Sequence, residues 1–190
     1  LFHLDFDWGN KAGSLEWNHS FSKRLYSKQT LFLTDYNYLI ANDVENFHFD
    51  LSSRIRDRGF RWDLTYDSPG GHFLQAGAEW IHHQFRLGRL KAGSTSENYN
   101  FSSGSEPSGH EWSVFAGDQF DAGEIFKFNF GLRYSGFHSQ SKYYHRLEPR
   151  AAFNAMVSER WSIKSSYARM NQYVHLVSNT GFSLPTDLWY

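Results

Sequence analysis

The chain has 190 residues, a formal net charge of -1 at pH 7 and no cysteine. This length suits one ordinary domain, and the balanced charge gives no reason to expect a nucleic acid as a partner. The lack of cysteine excludes disulfides, thiolate nucleophiles and sulfur-ligated metals. Aromatic residues make up 19% of the sequence and charged residues 21%, a mixture that suits a β-sheet with one apolar and one wet face.

Membrane-spanning segments must be sought among strands, since no window approaches the run of about 18 apolar residues that a transmembrane helix requires. A transmembrane strand needs only about 9–11 residues, half of which face lipid. The segment from Leu1 to Trp8 lacks the positive region and the apolar run of a signal peptide. We therefore expect either a processed chain or a piece of a longer protein.

Alternation of apolar and polar residues predicts strands from the start of the chain. One strand precedes a turn at residues 9–13, a second covers residues 15–21, and a third covers about residues 25–40. The next strand, at about residues 47–66, changes the parity of its apolar positions partway. We expect a bulge or a tight turn near residues 56–59 and favour one long bulged strand, because one extra residue moves all later side chains to the other face.

The second half of the chain contains predicted strands separated by longer loops. A turn at residues 67–71 leads to a strand over about residues 73–85, and the polar residues of about 86–110 predict an extracellular loop. Strands over 111–120 and 126–135, a loop over 137–146, a hairpin of 147–156 with 161–169 and a loop over 173–190 follow. No helix is indicated, since no segment sustains helical spacing with caps at both ends.

These segments predict an all-β fold, an antiparallel up-and-down β-barrel in a membrane, with about nine strands. Bacterial barrels of this kind have even strand numbers from about 8 upwards. An odd count that ends in an open loop indicates part of a larger barrel, because such a segment alone would have free edges. We therefore interpret residues 1–190 as one partial barrel domain.

Short motifs in the second half occur in the order and rough spacing found in TonB-dependent receptors. They are Glu111-Trp112, Asp118-Gln119-Phe120, Gly131-Leu132-Arg133-Tyr134, Leu147-Glu148-Pro149-Arg150, Ser166-Tyr167-Ala168-Arg169-Met170 and the segments 172–179 and 184–189. The chain therefore resembles the C-terminal half of the barrel of this family. The first half matches more loosely, through Trp8-Gly9-Asn10 and Gly77-Ala78-Glu79.

The resemblance implies an active importer in the outer membrane of a Gram-negative bacterium, with a barrel of about 22 strands around a plug. It implies as partners the plug domain of the same full-length protein, a periplasmic TonB complex, and outer-membrane lipid with lipopolysaccharide. A surface lipoprotein is a further expected partner. The sequence contains no plug-like segment or TonB box and stops before the closing strands, so we expect that this piece does not transport alone.

Four charged residues are predicted to share the lumen side of three consecutive strands: Arg133, Glu148, Arg150 and Lys164. The structural interpretation is a ladder of cross-strand pairs, each contributing under about 1 kcal/mol. The functional interpretation is a docking surface for the plug. The two interpretations overlap.

Residues in the predicted loops are candidates for contact with a ligand, because binding residues concentrate in loops. Packing within the loops is the alternative interpretation. The candidates are Tyr99, Phe101, Tyr173, His175, Asn179, Phe182 and Trp189.

The sequence contains ten histidines, and His82 with His83 is the densest pair. Adjacent residues on a strand point to opposite faces, so this pair cannot readily hold one metal ion. We expect no metal and no cofactor. An enzyme is not expected either, because no Gly-x-Ser-x-Gly nucleophile motif is present.

The leading hypothesis is the wall of a TonB-dependent receptor that imports a nutrient such as a metal chelate, an oligosaccharide or a peptide. Two alternatives stay open. One is a small self-contained outer-membrane barrel acting as an adhesin or enzyme, and the other is a soluble β-barrel or β-sandwich binding protein. The sequence does not identify the substrate, because a fold supports many specificities and the binding surfaces lie in loops and plug.

Overall fold

A computed structural model describes residues 2–44, 47–94, 99–140, 142–174, 176–178 and 187–189. The strands are β1 (Phe2–Ser20), β2 (Leu25–Val44), β3 (Phe47–Asp67), β4 (His72–Ser94), β5 (Tyr99–Ser105), β6 (Ser108–Ala122), β7 (Phe126–Ser139), β8 (Lys142–Ser158), β9 (Trp161–Ala168), β10 (Leu176–Ser178) and β11 (Asp187–Trp189). Across these residues, no helix long and apolar enough to cross a membrane is found.

One antiparallel sheet contains β1 to β9. Its strands follow the order β1-β2-β3-β4-β6-β7-β8-β9, and β5 pairs with the far part of β4. Apart from β5, strands that follow one another in the chain are neighbours in the sheet, as tight antiparallel connections require. β10 and β11 form a separate pair, and β11 lies with Cα atoms within 8 Å of β4. The predicted all-β, up-and-down antiparallel fold is confirmed.

Short connections join β1 to β2, β3 to β4, β6 to β7 and β8 to β9 at one end of the sheet, which we call the short-turn end. The first four strands contain 19, 20, 21 and 23 residues. A membrane crossing needs only about 9–11 residues. About half of each of these strands therefore extends beyond the length of a single crossing.

Two predicted interruptions of the strands are wrong. Residues 9–13 do not turn, because β1 continues through them and pairs with β2 from Gly9 with Asn37 to Gly13 with Leu33. No bulge lies at residues 56–59, because β3 pairs with β2 without interruption and its register with β4 shifts only between Ser52 and Arg54. At both places the apolar side chains change face while the strand continues.

The predicted loops are also largely strand where the structure describes them. Residues 86–94 complete β4, residues 99–105 form β5, and β6 already begins at Ser108. The predicted loop over 137–146 shrinks to the connection between β7 and β8, and the segment 173–190 contains β10 and β11. Sequence alternation is hard to recognise in these segments because the face that carries the apolar side chains changes along the strands.

The predicted count of about nine strands is confirmed for the sheet, although its members differ. β1 is one strand rather than two, and β5 is an additional strand that pairs with β4, so the sheet has nine strands and eight of them lie on the path β1-β2-β3-β4-β6-β7-β8-β9. The strand count alone therefore does not show that the barrel is partial. Within the described residues, the sheet is open because its path ends at β1 and β9, which do not pair with each other.

Two glycines show how closely the strands and their side chains approach. A Cβ at Gly77 would lie 2.3 Å from the backbone oxygen of Trp62, whereas a Cβ at Gly131 would lie 2.2 Å from Nε of Arg150. A backbone oxygen in a sheet cannot move without disturbing its hydrogen bonds, but a guanidinium group can swing away. Glycine is therefore required more strictly at position 77.

Candidate functional site

The sheet has two faces, which follow from the register of the strands. Arg61 and Glu79 are register partners and share the face that we call inner, while Phe60 and Trp80 share the opposite, outer face. Side chains alternate between the faces along every strand. Most buried side chains lie on the inner face, as in a single sheet that curves towards it. They are Tyr38, Ile40, Leu51, Ser53, His83, Phe85, Ser113, Ser135, Phe137 and Glu148.

The outer face carries an apolar band that begins at the short-turn end. On β7 it runs from Phe126 to Tyr134, which matches the length of about 9–11 residues for a membrane crossing. Exposed side chains of the other strands continue this outer band: Leu15, Trp17, Leu31, Leu33, Phe60, Trp62, Leu74, Trp80, Val114, Leu147, Ile163 and Tyr167. Phe60, Trp80 and Trp112 are in register across β3, β4 and β6 and form the aromatic row at its far edge.

Beyond the aromatic row the two faces exchange character. The outer face becomes charged, with Asp35, Arg54, Arg56, Arg58 and Arg86. The inner face becomes apolar, with Tyr36, Tyr38, Ile40, Leu51 and Phe85. Charged outer side chains need water, whereas the apolar inner ones pack together, as Tyr38, Ile40 and Leu51 do in a buried cluster. This exchange is the physical reason for the parity changes that suggested a turn and a bulge.

Level with the outer band, the inner face carries a network of ion pairs that we call the inner charged network. Nη2 of Arg133 lies 3.1 Å from Oε2 of Glu79, and Nη1 of Arg61 lies 3.7 Å from Oε1 of the same carboxylate. Nε of Arg61 also donates to Asp63 at 2.8 Å. Glu79 on β4 is reached by Arg133 on β7, across β6. The network therefore ties the inner face together over strands that are not direct neighbours.

His83 lies on the inner face just beyond the level of the aromatic row. Its Nδ1 is 2.8 Å from Oδ1 of Asp57, and its Nε2 is 3.8 Å from Oε2 of Glu111. Burial lowers the pKa of His83, but these two carboxylates raise it, and the result is about 9. Thr34 also donates to Asp57 at 3.3 Å. At neutral pH, His83 is therefore a buried imidazolium held between two carboxylates.

The segment that follows β9 folds onto the inner face. The hydroxyl groups of Tyr173 and Ser135 are 2.8 Å apart, and the Tyr173 ring stacks on Phe137 with ring centres 5.8 Å apart. Ser135 also donates to Glu148 at 2.5 Å. Tyr173, a candidate for ligand contact, is thus engaged in packing and hydrogen bonding against the wall.

The register places the predicted lumen residues Arg133, Glu148, Arg150 and Lys164 on the inner face. Arg133 is the register partner of Glu148, but its guanidinium group pairs with Glu79 instead. The four residues thus share a face without forming the simple ladder that the sequence suggested. Their contact with a plug stays a prediction.

The remaining ligand candidates are placed less fully. Tyr99 and Phe101 belong to β5 and Trp189 belongs to β11, so each lies in a strand rather than a loop. His175, Asn179 and Phe182 lie outside the described residues. Ligand contact by these six residues stays a prediction.

Sequence reasoning missed Asp57, Glu79 and Glu111 as partners of inner-face cations. Their alternation with apolar neighbours could have indicated which face they occupy. Their pairing depends on the register between strands far apart in sequence, which no local pattern specifies. Among the described residues, no cluster of three or more His, Cys, Asp or Glu side chains suited to a metal ion is found.

An open antiparallel sheet with a polar inner face and an apolar outer band defines the wall of a transmembrane β-barrel. The model of the family "TonB dependent receptor-like, beta-barrel" matches residues 2–188. The chain therefore belongs to this family, and the resemblance noted in its motifs is confirmed.

Two solved structures share the fold. The copper transporter OprC is 12% identical, with a TM-score of 0.74 over 90% of this chain and 32% of that one. The unliganded ferric citrate transporter FecA is 12% identical, with a TM-score of 0.67 over 85% of this chain and 27% of that one. The chain thus spans about a third or less of these transporters. Comparison with curated protein sequences finds no match.

Proposed function

We propose that the chain forms part of the wall of a TonB-dependent receptor that imports a nutrient through the outer membrane of a Gram-negative bacterium. The observation that carries this proposal is the pairing of an apolar outer band with the inner charged network on the same strands. Lipid outside and a polar filling inside account for both. The nutrient classes that fit the proposal are a metal chelate, an oligosaccharide or a peptide.

The inner charged network supports a polar partner inside the barrel. Side chains such as Glu79 and Arg133 lie on the inner face and are only partly exposed. The plug domain of the full-length protein is the partner that fits this position. Energy would reach the plug from the TonB complex, and a surface lipoprotein is a further partner at the far ends of the strands.

The outer band disfavours a soluble binding protein. Large aromatic and aliphatic side chains, including Trp17, Leu33 and Ile163, are more than half exposed on one continuous face. Contiguous apolar surface of this extent on a soluble protein promotes association or aggregation. A lipid environment fits this apolar face.

The test uses the full-length receptor in its native host. A strain that lacks the receptor gene and a strain that lacks TonB grow in the same complex medium, and mass spectrometry compares the compounds that each leaves unused. The proposal predicts at least one compound that both mutants leave and that the complemented receptor strain consumes. No shared compound, or a receptor found outside the outer-membrane fraction, would contradict it.

A further inference from the structure

A row of basic side chains crosses the outer face just beyond the outer band. Arg58 on β3 is the register partner of His82 on β4, His82 of His110 on β6, and His110 of His138 on β7. We call these four residues the basic row. They stand two residues beyond the aromatic row, which is about 7 Å along the strands.

The basic row packs directly on the aromatic row. The rings of His82 and His110 stack with centres 4.5 Å apart, and the Trp80 ring lies 6.3 Å from His82 and 5.7 Å from His110. The two central histidines are therefore held against the surface by ring contacts. His82 lies on the outer face, whereas His83 lies on the inner face, where it pairs with Asp57.

Further cations extend the basic row away from the outer band. Arg54, Arg56, Arg86, Arg89 and Lys91 share the outer face of β3 and β4. Arg54 and Arg56 bind Asp35, and Arg86 lies 3.2 Å from Glu106. Within the described residues, Arg58 has no ion pair. Asp50, the register partner of Lys91, shares this face. The patch thus contains more cations than carboxylates, and Arg58 is the arginine that lies nearest to the outer band.

We propose that the basic row is a binding site for the phosphate groups of a lipid head group in the outer leaflet. This inference rests on the proposed function, because it needs the outer band to lie in lipid and the short-turn end to face the periplasm, as the short turns of transmembrane barrels do. Aromatic belts lie at the level of the head groups, so the next row along the strands meets the phosphates. Arginine and histidine N–H groups are phosphate donors, and a charge-assisted bond is stronger than a neutral one.

Arg58 supplies the permanent charge of this site. Burial lowers the pKa of His82, and the facing groups His110 and Arg58, with His83 behind it, lower it further. At neutral pH the ring of His82 is therefore a neutral hydrogen-bonding group beside a fixed guanidinium. A lipid phosphate is favoured over a free phosphate ion because acyl chains and glycerol or sugar carbons can pack on the aromatic row beneath.

The test measures the binding of bisphosphorylated lipid A and of dephosphorylated lipid A to the full-length receptor in detergent, by native mass spectrometry. The test variant carries Arg58→Gln with His82→Gln. The matched control carries Arg24→Gln with His19→Gln, an arginine and a histidine at the short-turn end. The wild type and the control are expected to prefer the bisphosphorylated lipid, and the test variant to lose about fivefold of that preference.

A test variant that keeps the wild-type preference, or a wild type that does not distinguish the two lipids, would overturn the inference. Fractionation of the same cells shows whether the receptor lies in the outer membrane. This measurement distinguishes failure of the inference about the basic row from failure of the proposed function. A receptor located in the outer membrane with equal binding of both lipids refutes the basic row alone. A test variant that loses binding to a surface lipoprotein, with lipid binding unchanged, would assign the row to a protein partner and also refute the inference.

Discussion

Replacing His83 by glutamine tests the electrostatics of the inner face most sharply. The imidazolium lies between the carboxylates of Asp57, at 2.8 Å, and Glu111, at 3.8 Å. Its side chain is only 11% exposed, so solvent screens these contacts weakly. Glutamine keeps one hydrogen-bond donor but removes the positive charge.

The magnitude follows from the difference in pKa between the folded and unfolded states. Burial lowers the pKa of His83 and the two carboxylates raise it, from 6.5 to about 9. That difference corresponds to about 3 kcal/mol of folding free energy. Because the folded-state pKa is the higher one, this contribution is fully present below about pH 6.5 and is lost as the pH rises through about 9.

The assay is the unfolding midpoint of the full-length receptor in detergent, followed by the change in gel migration on heating, between about pH 6 and about pH 10. We expect the His83→Gln variant to be destabilised at the acidic end and to approach the wild type at the alkaline end. His145→Gln, at an exposed position, is the control. A difference between variant and wild type that does not depend on pH would refute the charge of His83.

Three further predictions concern packing and pairing on the inner face. Gly77→Ala should lower the unfolding midpoint by the equivalent of about 1–3 kcal/mol, whereas Gly131→Ala should change it little. Equal effects would contradict the conclusion that a backbone oxygen blocks a side chain at position 77 and only a movable arginine does so at position 131. A double-mutant cycle of Glu79→Gln and Arg133→Gln should give a coupling energy of about 1 kcal/mol, and a value of zero would show that the ion pair contributes nothing. Tyr173→Phe should cost about 1 kcal/mol and speed proteolysis next to that residue, and an unchanged rate would mean that its hydroxyl does not hold the segment.

The sequence predicts the fold class well because alternation is a local property. On β7, apolar residues from Phe126 to Tyr134 alternate with polar residues and Gly131, and the structure has a strand there with its apolar side chains on the outer face. The short-turn end is equally predictable, since glycine, proline and polar residues mark the turns. These signals need no knowledge of distant contacts.

The long strands defeat the same reasoning because their surroundings change along their length. Phe6 and Trp8 lie on the inner face of β1, whereas Leu15 and Trp17 lie on its outer face. A change of parity looks like a turn or a bulge when each strand is assumed to have one apolar face. A strand that leaves the membrane produces the same pattern without any break.

The candidate site is the part that the sequence predicts least. Arg133 is recognisable as a charged inner-face residue, but its partner Glu79 lies 54 positions away in the chain. The pairing of His83 with Asp57 and Glu111 likewise depends on register across three strands. Register is set by the whole sheet, so these contacts become visible only in the structure.

The central claim is that lipid contacts the outer face and water contacts the inner face. The most direct measurement is spin-label accessibility at successive positions 128–133 of β7 in the full-length receptor, reconstituted in lipid. Labelling is simplified because this chain contains no cysteine. We expect labels at the even positions to collide with oxygen dissolved in lipid and labels at the odd positions to collide with a water-soluble nickel reagent. Equal access of the nickel reagent to both sets of positions would contradict the claim.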